Sequence, residues 1–345
     1  MNDPIRYRAF LLDLPLRAPI PVAAMVWRSR SVVLLRAEDD KGRVAWGEAA
    51  PLDGYGKDTL KDVLAAIAHP DPVALPPSLA CALGTIRLGL SAAHAGSSFA
   101  EEIGPIKENE LCPARLATQE APFDPGDIVK LKVRSIRDVE EIKHVLAMND
   151  EVRVRLDGNR QLSREETKHL LNELGVLTQR VDFLEEPFPG CFEEDHRADF
   201  SVPLAIDESL DGDNWRFADV VIIKPSLMGD PAETANFAKA VQGAGRRIVV
   251  SSAFESAVGM TMLTWLAARL GDAAPGLGTY SFMAEDVGGR SSLWDFSRIS
   301  MDAMPAIPCI EPGDLEDALA GADRSIEHAL SVTELTIPGN SWLSA

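Results

Sequence analysis

Three apolar runs in this chain each end in a carboxylate: Val154-Arg155-Leu156-Asp157, Phe183-Leu184-Glu185 and Leu204-Ala205-Ile206-Asp207. The acids stand 28 and 22 residues apart, intervals that each hold one strand and one helix. Three carboxylates at neighbouring strand ends repel unless a cation joins them. A set without His or Cys suits a hard divalent ion, magnesium above all, with manganese as a substitute. Taken singly, each acid reads equally well as a helix cap or a surface group. All three in register after hydrophobic runs favour a shared site.

Amines fall into the same pattern. In Ile128-Val129-Lys130-Leu131-Lys132-Val133, strand alternation turns Lys130 and Lys132 to one face. Crowding and partial burial of two ammonium groups lower a lysine pKa, which makes one of the pair a usable general base. Lys224 follows the apolar Val220-Val221-Ile222-Ile223, 17 residues beyond Asp207. A charge there is costly unless it faces a bound anion, from the side opposite Lys132, as an acid or an electrostatic stabiliser. After Ile248-Val249-Val250, Ser251 and Ser252 precede a helix expected to begin near Glu255. Free N–H groups and hydroxyls at such a start predict an anion site for a second substrate carboxylate.

These residues need a scaffold that gathers strand ends. From about Ile128, short apolar runs alternate with amphipathic stretches such as 135–148 and 164–175, which predicts a parallel sheet, and so many units favour closure into a barrel. An open doubly wound sheet is the alternative, but no Gly-x-Gly-x-x-Gly turn follows an early strand. Ahead of the barrel, 30–37 and 43–48 read as a hairpin around Asp39-Asp40-Lys41-Gly42, with helices over 60–68 and 78–95. The tail carries a helical piece at 314–320 and an extended stretch at 331–337 that packs back on the first module.

Composition narrows the partners. The 345 residues include 34 basic and 53 acidic side chains, a net charge of −19 that opposes attraction to phosphate backbones or anionic lipid. Neither nucleic acid nor a membrane is expected as a partner; a small-molecule carboxylate is. Four dispersed cysteines suggest neither a zinc knuckle nor a disulfide framework. With no apolar leader behind Met1 to Phe10, the expectation is a cytoplasmic protein, monomeric or a small homo-oligomer.

Together, Lys130-x-Lys132, Asp157 in Arg-Leu-Asp-Gly-Asn, Glu185 in Leu-Glu-Glu-Pro, Asp207 in Asp-Glu-Ser and Lys224 in Ile-Lys-Pro resemble the muconate-lactonising branch of the enolase superfamily. Within it, 46–55 (Trp-Gly-Glu-Ala-Ala-Pro-Leu-Asp-Gly-Tyr) and 251–256 (Ser-Ser-Ala-Phe-Glu-Ser) are similar to segments of the o-succinylbenzoate synthases, as is Arg155-Leu156-Asp157-x-Asn159-Arg160. The resemblance implies an α/β fold: a modified TIM barrel, (β/α)₇β, over 111–300, an α+β capping domain over 1–110, and a C-terminal segment, 301–345, packing on the cap. It further implies a magnesium-dependent lyase with Asp157, Glu185 and Asp207 as metal ligands and Lys132 and Lys224 as catalytic groups. Substrate contacts are expected from Lys130, Arg155, Asn159, Ser251, Ser252, Gly54 and Tyr55, with the loop at Gly54 and Tyr55 closing over the substrate. Segment 96–120 matches no pattern of the family. Racemisation of N-acylamino acids, dipeptide epimerisation, muconate lactonisation and a catalytically silent binding barrel are the other readings.

Overall fold

Alternating β-branched and polar residues build a cap sheet before the barrel begins. In the computed structural model, which describes residues 5–22, 25–69, 75–108, 110–117, 123–287, 289, 291–294, 298–306, 308–310 and 331–335, three antiparallel strands open the chain: β1 (Arg6–Val22), β2 (Met25–Glu38) and β3 (Val44–Ala49). The β2–β3 turn is held by Asp39, whose Oδ1 accepts the N–H groups of Lys41 and Arg43. β1 and β2 pair from Arg6↔Glu38 to Pro15↔Ser29 and again from Ile20↔Trp27. Pro15 and Pro19 cannot donate to the ladder, which accounts for the register shift between those stretches.

Two helices cover this sheet, α1 (Leu60–Ala68) and α2 (Pro77–Ala95), followed by a short α3 (Phe99–Ile103). A capping box at Thr59 and Asp62 starts α1. Val33, Leu35, Val63, Ile67, Leu79 and Ile86 form the buried layer between sheet and helices.

Strands β4 (Glu110–Leu111) and β12 (Ile299–Ser300) make a small antiparallel pair. β5 (Arg115–Leu116), β6 (Ile128–Lys132), β7 (Arg153–Asp157), β8 (Val181–Glu185), β9 (Leu204–Ile206), β10 (Val220–Ile223) and β11 (Arg247–Val250) form one parallel sheet in sequential order. Helices α4 (Val139–Met148), α5 (Arg164–Leu174), α6 (Pro225–Met228), α7 (Pro231–Gly243) and α8 (Ala257–Leu270) lie between or after these strands. Gly276 bridges in parallel to Ser251, while the Pro275 carbonyl accepts the Ala114 N–H at 2.8 Å just before β5. That segment brings the two sheet edges together. The result is the modified barrel with an antiparallel capping sheet that the sequence predicts.

The barrel interior is packed rather than open: Phe183, Ala205, Val220, Ile222 and Val249 fill it below the mouth. Strand β13 (Ser331–Leu335) pairs antiparallel with β1, Ala9↔Leu335 through Asp13↔Ser331, and completes the cap sheet in the order β13-β1-β2-β3. The helical piece expected at 314–320 lies outside the described residues, as do 336–337 of the extended stretch.

Candidate active site

Parallel register carries the predicted groups to one rim. Lys132 is opposite Asp157, Asp157 opposite Glu185, and Glu185 opposite Ala205, two residues before Asp207. All four charged residues line a cavity of about 580 Å³ at the barrel mouth, along with Lys130 and Lys224. Lys130 Nζ lies 2.9 Å from Asp157 Oδ2 and 2.8 Å from Glu185 Oε2, and Lys224 Nζ lies 2.5 Å from Asp207 Oδ2. Lys132 is the exposed lysine of the set.

The electrostatics at Lys130 and Lys224 are set by the acids around them. Burial opposes the Lys130 ammonium, but the charges of Asp157, Glu185 and Asp207 outweigh it and hold its pKa above the usual lysine value. Lys224 is raised likewise: burial works against its charge, and Asp207 and Glu208 overcome it. Mutual repulsion within Lys130-x-Lys132 is therefore not the controlling effect at Lys130; neighbouring acids are. Glu185 is pushed well above the ordinary carboxylate range by burial and then by the charge of Asp157. Burial also drives Glu208 up to about 7, with Asp207 adding to it, and its Oε2 is buried without a partner.

Among the described residues, no three acidic, His or Cys side chains converge closely enough to cage a metal ion. The reason is visible: one ammonium stands between Asp157 and Glu185 and another against Asp207. The donor chemistry nevertheless fits a hard divalent cation. Three carboxylates occupy adjacent strand ends, and the repulsion that lifts Glu185 is what a cation would relieve.

Supporting residues fix these acids. The amide side chain and the backbone N–H of Asn159 both donate to Asp157 Oδ1, so Asn159 lines the cavity and braces an acid of the rim. Glu186, fully buried at φ 41°, accepts the N–H groups of Asp207 and Ser209, each at 2.9 Å, and the Ser209 hydroxyl at 2.6 Å. The Glu-Glu-Pro and Asp-Glu-Ser turns are thereby locked together. Sequence reading assigned Glu186 no role; its place beside Glu185 is the only signal.

The other predicted contact residues take different places around the cavity. Arg155 sits below the mouth, 2% exposed, with Nε 2.8 Å from Asp182 Oδ2 and its guanidinium over the Phe183 ring. It borders the cavity floor, and its Nη2 is buried without a partner, but its main engagement is an ion pair. Asp182 turns inward because the β7–β8 register slips between Val154 and Arg155, and it also receives Arg247 Nη1 at 2.9 Å. Such a bulge leaves no trace in a hydrophobic pattern.

Tyr55 lines the cavity, whereas Gly54 does not; Gly54 takes φ 88°, the turn conformation that lets the Tyr55 and Gly56 N–H groups reach the Leu52 carbonyl. Ser251 and Ser252 also line it, but they do not form the expected anion site. Their N–H groups donate to Ile223 O and Gly276 O, and both hydroxyls point at Gly276 O. The following helix begins at Ala257, and its first N–H groups are taken by carboxylates of Glu48 and Asp286. Ser252 and Thr279 hydroxyls bond each other at 2.6 Å, and Thr279 accepts the Phe254 N–H, which fixes Phe254 at φ 66° against Trp27 and Phe282. Ile20, Leu52 and Tyr55 from the cap join Phe254 in an apolar roof.

Residues 117–287 match the family described as enolase C-terminal domain-like. An o-succinylbenzoate synthase of Pectobacterium atrosepticum is 28% identical over 302 residues, 80% of this chain and 90% of that protein. An N-succinyl Arg/Lys racemase of Bacillus cereus superposes with a TM-score of 0.76 at 18% identity, covering 96% of this chain and all of the other. A dipeptide epimerase of Methylococcus capsulatus, solved with Mg and a dipeptide, gives 0.68 at 20% identity over 82% of this chain and 92% of its own. Among the described residues no helix is long and apolar enough to cross a membrane. With the capped barrel and the strand-end acids in agreement with this domain match, residues 117–287 belong to the enolase C-terminal domain-like family.

Proposed function

We propose that the chain is an o-succinylbenzoate synthase of menaquinone biosynthesis, a magnesium-dependent hydro-lyase acting on 2-succinyl-6-hydroxy-2,4-cyclohexadiene-1-carboxylate, with its barrel over 111–300 and its cap over 1–110 and 301–345. The observation that carries this reading is the polarity of one cavity: amines and acids on the β6–β10 rim, and a wall from Ser251–Phe254 to Gly276–Phe282 that contains no acid. A ring carboxylate suits the charged side. A dipeptide's ammonium would find no carboxylate on the opposite wall, while a carbocyclic ring and succinyl chain suit Ala253, Phe254 and Phe282 beneath the cap residues.

Asp157, Glu185 and Asp207 would hold magnesium, whose charge would favour electron density moving onto the substrate carboxylate. Lys132 Nζ takes the proton from the carbon bearing that carboxylate. Lys224, directly after β10 and across the mouth from β6, offers its ammonium to the charge that builds there. The C–OH bond then breaks, the hydroxide leaves with the proton from Lys132, and the ring becomes aromatic with release of one water. Lys130, paired to Asp157 and Glu185, keeps those acids aligned and adds positive charge beside the bound carboxylate. Tyr55 and Leu52 cover the substrate and exclude water.

The deciding experiment is incubation in deuterated water with the cyclohexadiene carboxylate, an N-succinylamino acid and a dipeptide in parallel. Rapid formation of 2-succinylbenzoate from the first supports the proposal. Exchange of the α-proton in either amino-acid substrate without appreciable dehydration of the first would favour the racemase or epimerase reading and sink this one.

A further inference from the structure

The penultimate residue of β3 carries a carboxylate that leaves the cap altogether. Glu48, 3% exposed, crosses the seam to the start of α8 in the barrel. There its Oε1 accepts the Ser256 N–H at 2.9 Å and its Oε2 accepts the Gly259 N–H at 2.9 Å, and the Ser256 hydroxyl donates to the same carboxylate. The fit is tight: a Cβ on Gly259 would stand 2.8 Å from Glu48 Oε2 and 2.6 Å from Glu255 Cβ. An extra methyl there has to displace one of the two acids.

A second carboxylate continues the connection. Glu255, fully buried, accepts the Ala253 N–H at 2.6 Å and the hydroxyl of Ser226, two residues past Lys224. Burial raises the pKa of both Glu48 and Glu255, and Arg30 from β2 lies within electrostatic reach of both. Four residues beyond Glu48 comes Leu52, and three further Tyr55, both on the cavity; two residues before Ser256 comes Phe254, on the opposing wall.

We infer that Glu48 is a positioning residue that couples the cap loop at Leu52–Tyr55 to the barrel wall at Ala253–Phe254, so that the two sides of the cavity hold one spacing when substrate is captured. Its contacts are with the barrel's helix start and not with any group at the reacting centre. Loosening it therefore weakens capture while leaving the amines and acids of the rim in place. The link to capture rests on the proposed dehydration; the coupling itself does not.

Two readouts keep those apart. Hydrogen–deuterium exchange of Glu48→Gln needs no substrate: the amides of Tyr55 and Gly56 and those of Ala253 and Phe254 should all exchange ~10-fold faster, the scale of one lost hydrogen bond to a buried carboxylate, while β6 to β10 stay within about twofold. With the cyclohexadiene substrate, KM should rise ~10-fold and kcat change less than about threefold, the signature of lost binding shared by ground and transition states. Ser256→Ala removes the hydroxyl bond to Glu48 together with the cap that accepts the Val258 N–H, and should show the same pattern at about threefold if Glu48→Gln does not fold. Faster exchange on one wall only, an even rise across the barrel strands, no change, or a fall in kcat at constant KM would overturn the inference. A protein that dehydrates no substrate would sink the proposed activity and leave the exchange result to decide the coupling.

Discussion

Buried carboxylates stabilise two regions of this molecule by different means. On the rim, Asp157, Glu185 and Asp207 face lysine ammoniums at 2.5–2.9 Å. At the seam between cap and barrel, Glu48 and Glu255 face backbone N–H groups and serine hydroxyls instead. An ammonium can be exchanged for another cation or turned toward a substrate; a helix-start N–H cannot move away from its carboxylate without unwinding the helix. The rim is thus built for traffic in charge and the seam for fixed geometry.

The sharpest way to break that contrast is Lys132→Ala. It should cost well over the ~100-fold expected of a general base while leaving thermal unfolding near that of the unaltered chain, because Lys132 is exposed and bonded to no rim acid. Near-normal turnover would remove the rim's chemical role. Asp207→Asn comes next: it frees Lys224 and should raise the magnesium concentration for half-maximal activity at least ~10-fold, as weakened metal sites do. An unchanged magnesium titration would remove Asp207 from the ligand set.

The seam answers to pH. Burial lifts Glu48 to about 7 against the bonds from Ser256 and Gly259 that favour its charge. A carboxyl with a raised native pKa binds its proton more tightly in the folded chain, so its contribution is complete below about pH 4.5 and is lost as pH rises through about 7. Glu48→Gln should therefore flatten the decline in stability between those values by about one proton, measured by urea unfolding across the range. A slope identical in both proteins would return Glu48 to ordinary behaviour. The smallest effect belongs to Ser209→Ala, which removes one hydroxyl bond to Glu186 and should cost ~1 kcal/mol in the same unfolding measurement.

Much of the rim could be read from the chain because each element announces itself over five or six residues. Ile128–Val133 alternates, Val220–Ile223 is uniformly apolar, and a charged residue at the end of either is conspicuous. Cap helices expected at 60–68 and 78–95 followed from periodicity for the same reason, and the structure has them at Leu60–Ala68 and Pro77–Ala95. Long-range partners had no such local sign. Glu48 meets Ser256 across 208 residues, and its sequence neighbours Ala49 and Ala50 suggest only the end of a strand. Asp182 reads as a surface residue between Val181 and Phe183 until the register slip turns it toward Arg155. Ser251 and Ser252 show the limit from the other side: their polarity points to a ligand, and the structure places them on the cavity with bonds to the ladder and Gly276 that no local pattern announces.

The pairing of β13 with β1 sets an order on assembly. Leu335 lies beside Ala9, so one cap edge is supplied from each side of the whole barrel sequence. While the chain is being synthesised, β1 waits with an open flank until more than 300 further residues have emerged, a long loop to close and a slow class of contact to form. The cap should then mature last, and a chain ending before Ser331 should show a protease-sensitive cap on a protected barrel in limited digestion.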